Sequence, residues 1–161
     1  MVTNKLQKIF GVGPKGAVIS LVLLSLFAWV DSRIFLPIMT TNSGLTKAVG
    51  IILVILGLGF HFWTFSTLRR WWSDDELCTS GPFKFVRHPM YAAWISLISP
   101  GVALYLNSWF FVCWSILLHP IWHKLVKKEE TTMISTFGKI YGAYAKKTGR
   151  FFPNVLNISH Q

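Results

Sequence analysis

Apolar residues fall into four blocks along the chain, Ala17 to Val30, Ala48 to Leu68, Met90 to Leu106 and Trp109 to Ile121, and the segments between and after them hold most of the charge. A helix that crosses a bilayer needs about 17 to 25 predominantly apolar residues. The second block meets that length by itself. The third and fourth are shorter and meet at Leu106-Asn107-Ser108-Trp109, which predicts a tight helical hairpin with antiparallel arms whose apolar surface continues into the flanking turns. The first block follows Lys5, Lys8 and Lys15 in the manner of a signal peptide, yet no small-x-small cleavage pattern precedes Asp31 and apolar residues resume at Ile34, so it reads as a retained span.

The expected fold class is an all-α integral membrane protein with about four transmembrane helices, at roughly 16–38, 46–68, 89–106 and 108–126, in one domain over 1–161. Thr131 to Pro153 mixes helix formers with Phe137, Tyr141, Tyr144, Phe151 and Phe152, and predicts a C-terminal interfacial helix ending in the Gly149-Arg150-Phe151-Phe152-Pro153 turn.

Composition supports lipid as the solvent: 52% of residues are hydrophobic and 14% charged, against about a quarter charged in soluble domains. The sixteen basic residues set the topology, because cytoplasmic loops carry excess Lys and Arg. They cluster before the first span, between the second and third (Arg69, Arg70, Lys84, Arg87), and after Lys124. Both termini and the 69–87 loop are therefore expected in the cytoplasm, in a membrane the sequence does not specify. A net charge of +10 raises nucleic acid as a partner, but the charges border hydrophobic spans without a nucleic-acid motif, so anionic lipid head groups are the expected partners. The sequence names no protein partner. Cys78 and Cys113 lack paired spacing and are assigned no chemistry.

Polar residues placed against an apolar environment mark the candidate site. Pro89 falls at the first position of the third helix, where its missing N–H costs nothing. The unpaired amides and positive dipole end of that helix, with Arg87 and His88 beside them, suit an anion; alternatively the two side chains are interfacial anchors. Glu129 and Glu130, two of six acidic residues, follow the fourth span, and the antiparallel hairpin returns them to the membrane face of His88. An anion site opposite a carboxylate fits a zwitterionic or cationic ligand such as S-adenosylmethionine; the bland alternative is a solvated charge run paired with Lys127 and Lys128. His119 and His123 share a helical face, but Pro120 and the missing third ligand argue against a metal, and none is assigned. His61, inside the second span, is left out of the site.

Read together, Gly81-Pro82-Phe83-Lys84-Phe85-Val86-Arg87-His88-Pro89-Met90-Tyr91, then Glu129-Glu130, Phe137-Gly138, Tyr141, Tyr144 and Phe152-Pro153, in that order, resemble the isoprenylcysteine carboxyl methyltransferase and phospholipid methyltransferase superfamily. The resemblance covers about Glu76 to Pro153. It implies S-adenosylmethionine-dependent methyl transfer to an amphiphilic or lipid-like acceptor at the cytoplasmic face, with the cofactor enclosed by residues 76–91 and 124–153. It implies that His88, Tyr91 and Glu129 contact the cofactor, that Leu77, Gly81, Phe83 and Pro89 help form its cleft, and that Arg87 and Glu130 support it, with Glu129 and Tyr91 as the catalytic pair. Four residues before the first glutamate, where prenylcysteine methyltransferases tend to place an arginine able to hold the substrate carboxylate, this chain has Leu125. The neighbouring Lys124, Lys127 and Lys128 lack the bidentate fork of arginine. The alternatives are a sterol-reductase-like oxidoreductase using NADPH and a non-catalytic membrane scaffold or transport accessory.

Overall fold

The computed structural model describes residues 11–34, 38–71 and 76–154, and these are dominated by helices; only isolated bridges, Ile38 with Ser108 and Val86 with Gly149, stand outside them. The helices are α1 (Gly13–Asp31), α2 (Ser43–Arg70), α3 (Pro89–Leu106) and α4 (Trp109–Lys147), with a short 3-10 turn at Gly81–Lys84. Among them α1, α2 and α3 are long and apolar enough to cross a membrane. The fourth expected span is the first half of α4, where His119, His123 and Lys124 interrupt the apolar run. The first span is expected to reach residue 38, but α1 ends at Asp31 and residues 32–34 form a turn and bend, while residues 35–37 lie outside the described residues.

The hairpin between α3 and α4 forms where the sequence places it. Asn107 takes the left-handed conformation, φ 53°, that terminates α3, and the Ser108 Oγ caps α4 by accepting from Phe110 N at 3.3 Å. Ser108 also donates to Asp31 at the end of α1, 2.5 Å away, which ties three helices together at this end of the bundle. Within α3, Trp94–Ile98 is a wider π turn, with Ser99 N bonded to Trp94 O. It precedes Pro100, whose missing N–H leaves the Ser96 carbonyl without its α-helical donor.

Helix contacts rest on small residues and on one saturated polar node. Backbones of α2 and α3 approach so closely that a Cβ on Gly50 would lie 2.6 Å from Gly101 O, the close approach that small residues permit between membrane helices. At the α1–α4 contact, Gly16 leaves room for the Trp122 ring, which an added Cβ would meet at 2.4 Å. One turn on, Ser20 Oγ donates to Gly16 O and accepts from Trp94 Nε1 at 3.2 Å and Trp122 Nε1 at 3.1 Å, while Trp114 Nε1 donates to Ser20 O. Three indole N–H groups are thereby satisfied in the apolar interior, where an unpaired donor would cost about 1–3 kcal/mol. Trp114, Leu118, Trp122 and Val126 of α4 form the buried spine against Ile95 and Ala92 of α3.

The C-terminal region is helical, as expected, and consists of a continuation of α4 followed by a second helical segment past Gly138. The continuation runs through Glu129 and Glu130, because no glycine or proline intervenes between them and Gly138 and the Thr131 and Thr132 hydroxyls bond back to the Lys127 and Lys128 carbonyls. At Gly138 the backbone adopts φ 53°, ψ −125°, a combination open to glycine. The chain bends there and carries Tyr141 and Tyr144 back toward the 81–88 segment: Tyr144 OH donates to Phe83 O at 2.7 Å.

Candidate functional site

Both glutamates of α4 lie beside the start of α3, as the antiparallel hairpin predicts. His88 Nδ1 is 3.9 Å from Glu129 Oε1, and His88 Nε2 is 3.4 Å from Glu130 Oε1, the latter too poorly aligned to count as a hydrogen bond. Although consecutive in sequence, the two carboxylates project about 100° apart around a helix of 3.6 residues per turn, and they meet different surroundings.

Glu130 is clamped. Arg87 Nε donates to Glu130 Oε1 at 3.0 Å, Arg87 Nη2 lies 2.9 Å from the same oxygen, and Arg150 Nε donates to it at 3.1 Å while Arg150 Nη2 holds Oε2. The rest of the Arg87 fork donates to Ala145 O at 2.8 Å and to Thr148 O. Backbone pairing continues the lock: Arg87 N bonds to Gly149 O at 2.8 Å and His88 N to Arg150 O at 3.1 Å. Gly149 is required for this docking, since a Cβ there would fall 1.8 Å from Phe152 O. Burial alone would raise the Glu130 carboxyl, but the contacts with His88, Arg150 and Arg87 outweigh it and hold the group well below the usual carboxylate range. Nearby, burial and then the Glu130 charge push the Tyr141 phenol up to about 12, and burial raises that of Tyr144 as well.

Among the described residues, Glu129 is framed by a phenol and a backbone amide rather than by a guanidinium. Its Oε2 accepts from Tyr91 OH at 3.1 Å and from the backbone N–H of Val12 at 3.3 Å, and no arginine or lysine lies within ion-pair distance among the described residues. The Tyr91 ring stacks on His88, with centroids 5.6 Å apart and planes 8° apart, and leans on Trp122 at 4.8 Å. The start of α1 closes the frame: Gly11, at φ 49°, lies so close that a Cβ would sit 2.7 Å from Glu129 Oε2, and one on Gly13 would touch the Tyr91 ring at 3.4 Å. Leu125, one turn earlier on α4 and half-buried, adds no charge.

The structure thus gathers His88, Tyr91 and Glu129 into one constellation with Pro89, buried at the start of α3, beneath them. Arg87 and Glu130 adjoin it but face the clamp. Gly81, at φ 55°, packs against Thr67 of α2, and Phe83 is held by Tyr144. Leu77 is half-buried in the segment that leads into Gly81. Sequence reasoning missed Val12 with its flanking Gly11 and Gly13, and it missed Arg150 and His123, whose Nδ1 is 3.1 Å from Arg150 Nη1. A Gly-x-Gly-Pro turn ahead of the first span and an arginine inside the Gly149–Pro153 turn were the available signals.

This is a helical membrane protein with a framed carboxylate where two antiparallel helices meet a third, and a family model described as phospholipid methyltransferase matches it over residues 45–140, more than half of the chain. The chain belongs to the phospholipid methyltransferase family, and membership assigns it methyltransferase chemistry on lipid-like substrates. No curated protein and no solved structure matches it. The matched stretch contains all but the first two residues of α2, the whole of α3, and Glu129 and Glu130; α1 and Arg150 lie outside it.

Proposed function

We propose that this chain transfers a methyl group from S-adenosylmethionine to the amine of an amphiphilic, lipid-like acceptor at the cytoplasmic face of its membrane. The observation that carries the reading is Glu129: a half-buried carboxylate, fixed through one oxygen by Tyr91 and Val12, with its other oxygen accepting no hydrogen bond among the described residues. Such a group sits in a partly desolvated pocket awaiting positive charge, which unpaired burial would otherwise make costly. S-adenosylmethionine fits that requirement through its ammonium and sulfonium, and the missing Cβ atoms of Gly11 and Gly13 give the pocket close-approach backbone on one side.

When bound, S-adenosylmethionine supplies an electrophilic methyl group: the acceptor's lone pair forms the new bond to carbon as the carbon–sulfur bond breaks, and S-adenosylhomocysteine departs as a neutral thioether. The protein's own contribution is alignment and charge complementarity. His88 and Tyr91 form a flat stacked wall that orients the ligand. An ammonium acceptor must lose a proton before it attacks, and Glu129 is the residue placed to take it, because the two arginines on Glu130 hold that carboxyl ionised and make it a poor base. Leu125 favours an amine over a carboxylate acceptor, since no guanidinium stands one turn before Glu129 to hold a carboxylate. The lysine and arginine distribution supports the cytoplasmic assignment of this end of the bundle.

The test is calorimetric titration of the detergent-purified chain with S-adenosylhomocysteine and, separately, with NADPH. Saturable binding of the first alone, weakened in Glu129→Gln, is the expected result. Binding of NADPH alone would replace the reading with a reductase, and binding of neither with a non-catalytic scaffold.

A further inference from the structure

His88 stands between the two carboxylates of α4, and its surroundings hold the ring in one orientation. Its backbone is pinned, with His88 N bonded to Arg150 O at 3.1 Å and His88 O accepting from Ala92 N at 2.9 Å. The ring is buried, lies flat against Tyr91 and meets the Phe151 ring edge-on at 6.2 Å. Nε2 therefore faces Glu130 Oε1 at 3.4 Å, and Nδ1 faces Glu129 Oε1 at 3.9 Å.

A neutral imidazole cannot suit both neighbours, since it carries one N–H and one lone pair. Arg87 and Arg150 keep Glu130 a carboxylate, so charge complementarity assigns the N–H to Nε2. The Nδ1 lone pair is then opposed to Glu129 Oε1, an oxygen that accepts no hydrogen bond among the described residues because Tyr91 and Val12 both donate to Oε2. Two acceptors facing each other in a half-buried site cost stability unless a donor lies between them. No other described side chain supplies that donor. Arg87 and Arg150 are turned to Glu130, the Tyr141 phenol adjoins Glu130 and Arg87, His123 pairs with Arg150, and the start of α1 offers Glu129 a backbone amide on its other oxygen.

We infer that in the free protein Nδ1 and Glu129 Oε1 share one proton, and that the ammonium group of the ligand replaces it, donating one N–H to each atom while the proton passes to solvent. His88 thus binds the ligand through a lone pair, and binding is coupled to the release of a proton. A sulfonium has no N–H and cannot make this exchange, so the position belongs to the amino group of S-adenosylmethionine. The exchange leaves Glu129 ionised, the state in which it can take a proton from an ammonium acceptor. This inference rests on the cofactor reading above.

The experiment titrates the full chain in detergent with S-adenosylhomocysteine at pH 6 and pH 7, each in phosphate and in Bis-Tris, whose different heats of protonation let calorimetry count the protons released. Histidine exchanges its proton in this range. Wild type is expected to release up to one proton per ligand at pH 6, and its affinity to rise by as much as about tenfold at pH 7, the linkage of one proton. 5'-Methylthioadenosine, which keeps the nucleoside and thioether and lacks the ammonium, is expected to release none. His88→Gln, with an unfolding temperature near wild type, is expected to release none and to lose the pH dependence of its affinity, whatever its absolute value. A ring that served packing alone would leave both unaltered. Binding of S-adenosylhomocysteine by wild type without proton release would overturn the inference, and that arm needs no variant. Equal release with 5'-methylthioadenosine, or release that persists in His88→Gln, would overturn it as well. Failure of wild type to bind S-adenosylhomocysteine at either pH would remove the cofactor reading itself, and the inference with it.

Discussion

Glu129 and Glu130 are neighbours on one helix, and they differ in almost everything that governs a carboxylate. Glu130 meets two guanidiniums, is 12% exposed at its side chain, and joins three stretches of chain that are distant in sequence: the start of α3, the middle of α4 and the tail at Gly149–Phe151. Glu129, 18% exposed, meets a phenol and a backbone amide and no arginine or lysine among the described residues. The difference teaches that an acidic pair can divide its work: one member closes the fold, and the other, unpaired with arginine or lysine among the described residues, is left for the ligand role proposed above. Glu130→Gln should therefore be chiefly a stability mutation, because removing one partner of a buried cluster leaves uncompensated charge at a cost of about 3–5 kcal/mol. A fall of many degrees in the thermal midpoint in detergent is expected, and an unchanged midpoint would contradict the clamp.

Acid should reproduce part of that loss. The Glu130 carboxyl is held below its ordinary value in the folded state, so the stability it contributes is complete above the unfolded carboxylate value of about 4.3 and is lost as the pH falls below it toward the lower folded value. Thermal midpoints measured between pH 3 and 7 should drop on the acid side in wild type, and Glu130→Gln should flatten that part of the profile. A variant as acid-sensitive as wild type would place the titrating group elsewhere.

The opposite pattern is expected at Glu129. Glu129→Gln should lower affinity for S-adenosylhomocysteine at least about tenfold, the scale of a lost charge-assisted contact, with a thermal midpoint close to wild type. Tyr91→Phe, which removes the donor to Glu129 Oε2 but keeps the stacked ring, should weaken binding only a fewfold. If Glu129→Gln destabilised the protein as much as Glu130→Gln while leaving the titration unchanged, the division of labour would be reversed.

How much of this was legible in the sequence follows from what each contact is made of. The hairpin at Asn107, the helix start at Pro89 and the return of the acidic pair to His88 all follow from local rules applied to apolar blocks and a proline, and the structure agrees on each. The ordered motifs from Gly81 to Tyr91 and at Glu129-Glu130 identified the family that the residues 45–140 match shows. Less legible were contacts created by tertiary bends. Arg150 reaches Glu130 only because the chain turns back at Gly138, and an arginine inside the Gly149–Pro153 turn does not by itself name its partner. The tryptophans at 94, 114 and 122 resemble interfacial anchors by composition, yet they converge on Ser20 inside the bundle. The aromatic residues past Gly138 suggest a surface helix, and a helical segment does follow the break there, but its docking on the 81–88 segment through Tyr144 is not written in the local pattern.

Val12 shows the limit most clearly, because it holds Glu129 through its main chain and any residue but proline could supply that N–H. What the sequence does specify is the space around it. Gly11 combines φ 49° with an approach to the Glu129 carboxylate that leaves no room for a methyl group. Gly11→Ala should therefore shift the turn away from α4 and lengthen or break the Val12 N–H bond to Glu129 Oε2. The backbone strain of a left-handed alanine is about 1 kcal/mol, the smallest effect on stability among these variants, because α1 remains anchored through Ser20 and Gly16. The informative readout is affinity. If the turn belongs to the ligand frame, S-adenosylhomocysteine binding should weaken while the thermal midpoint barely moves; if the turn instead competes with the ligand for Glu129, the same substitution should tighten binding. Either change ties α1, which lies outside the family match, to the site, and an unaltered titration would confine the frame to His88, Tyr91 and Glu129.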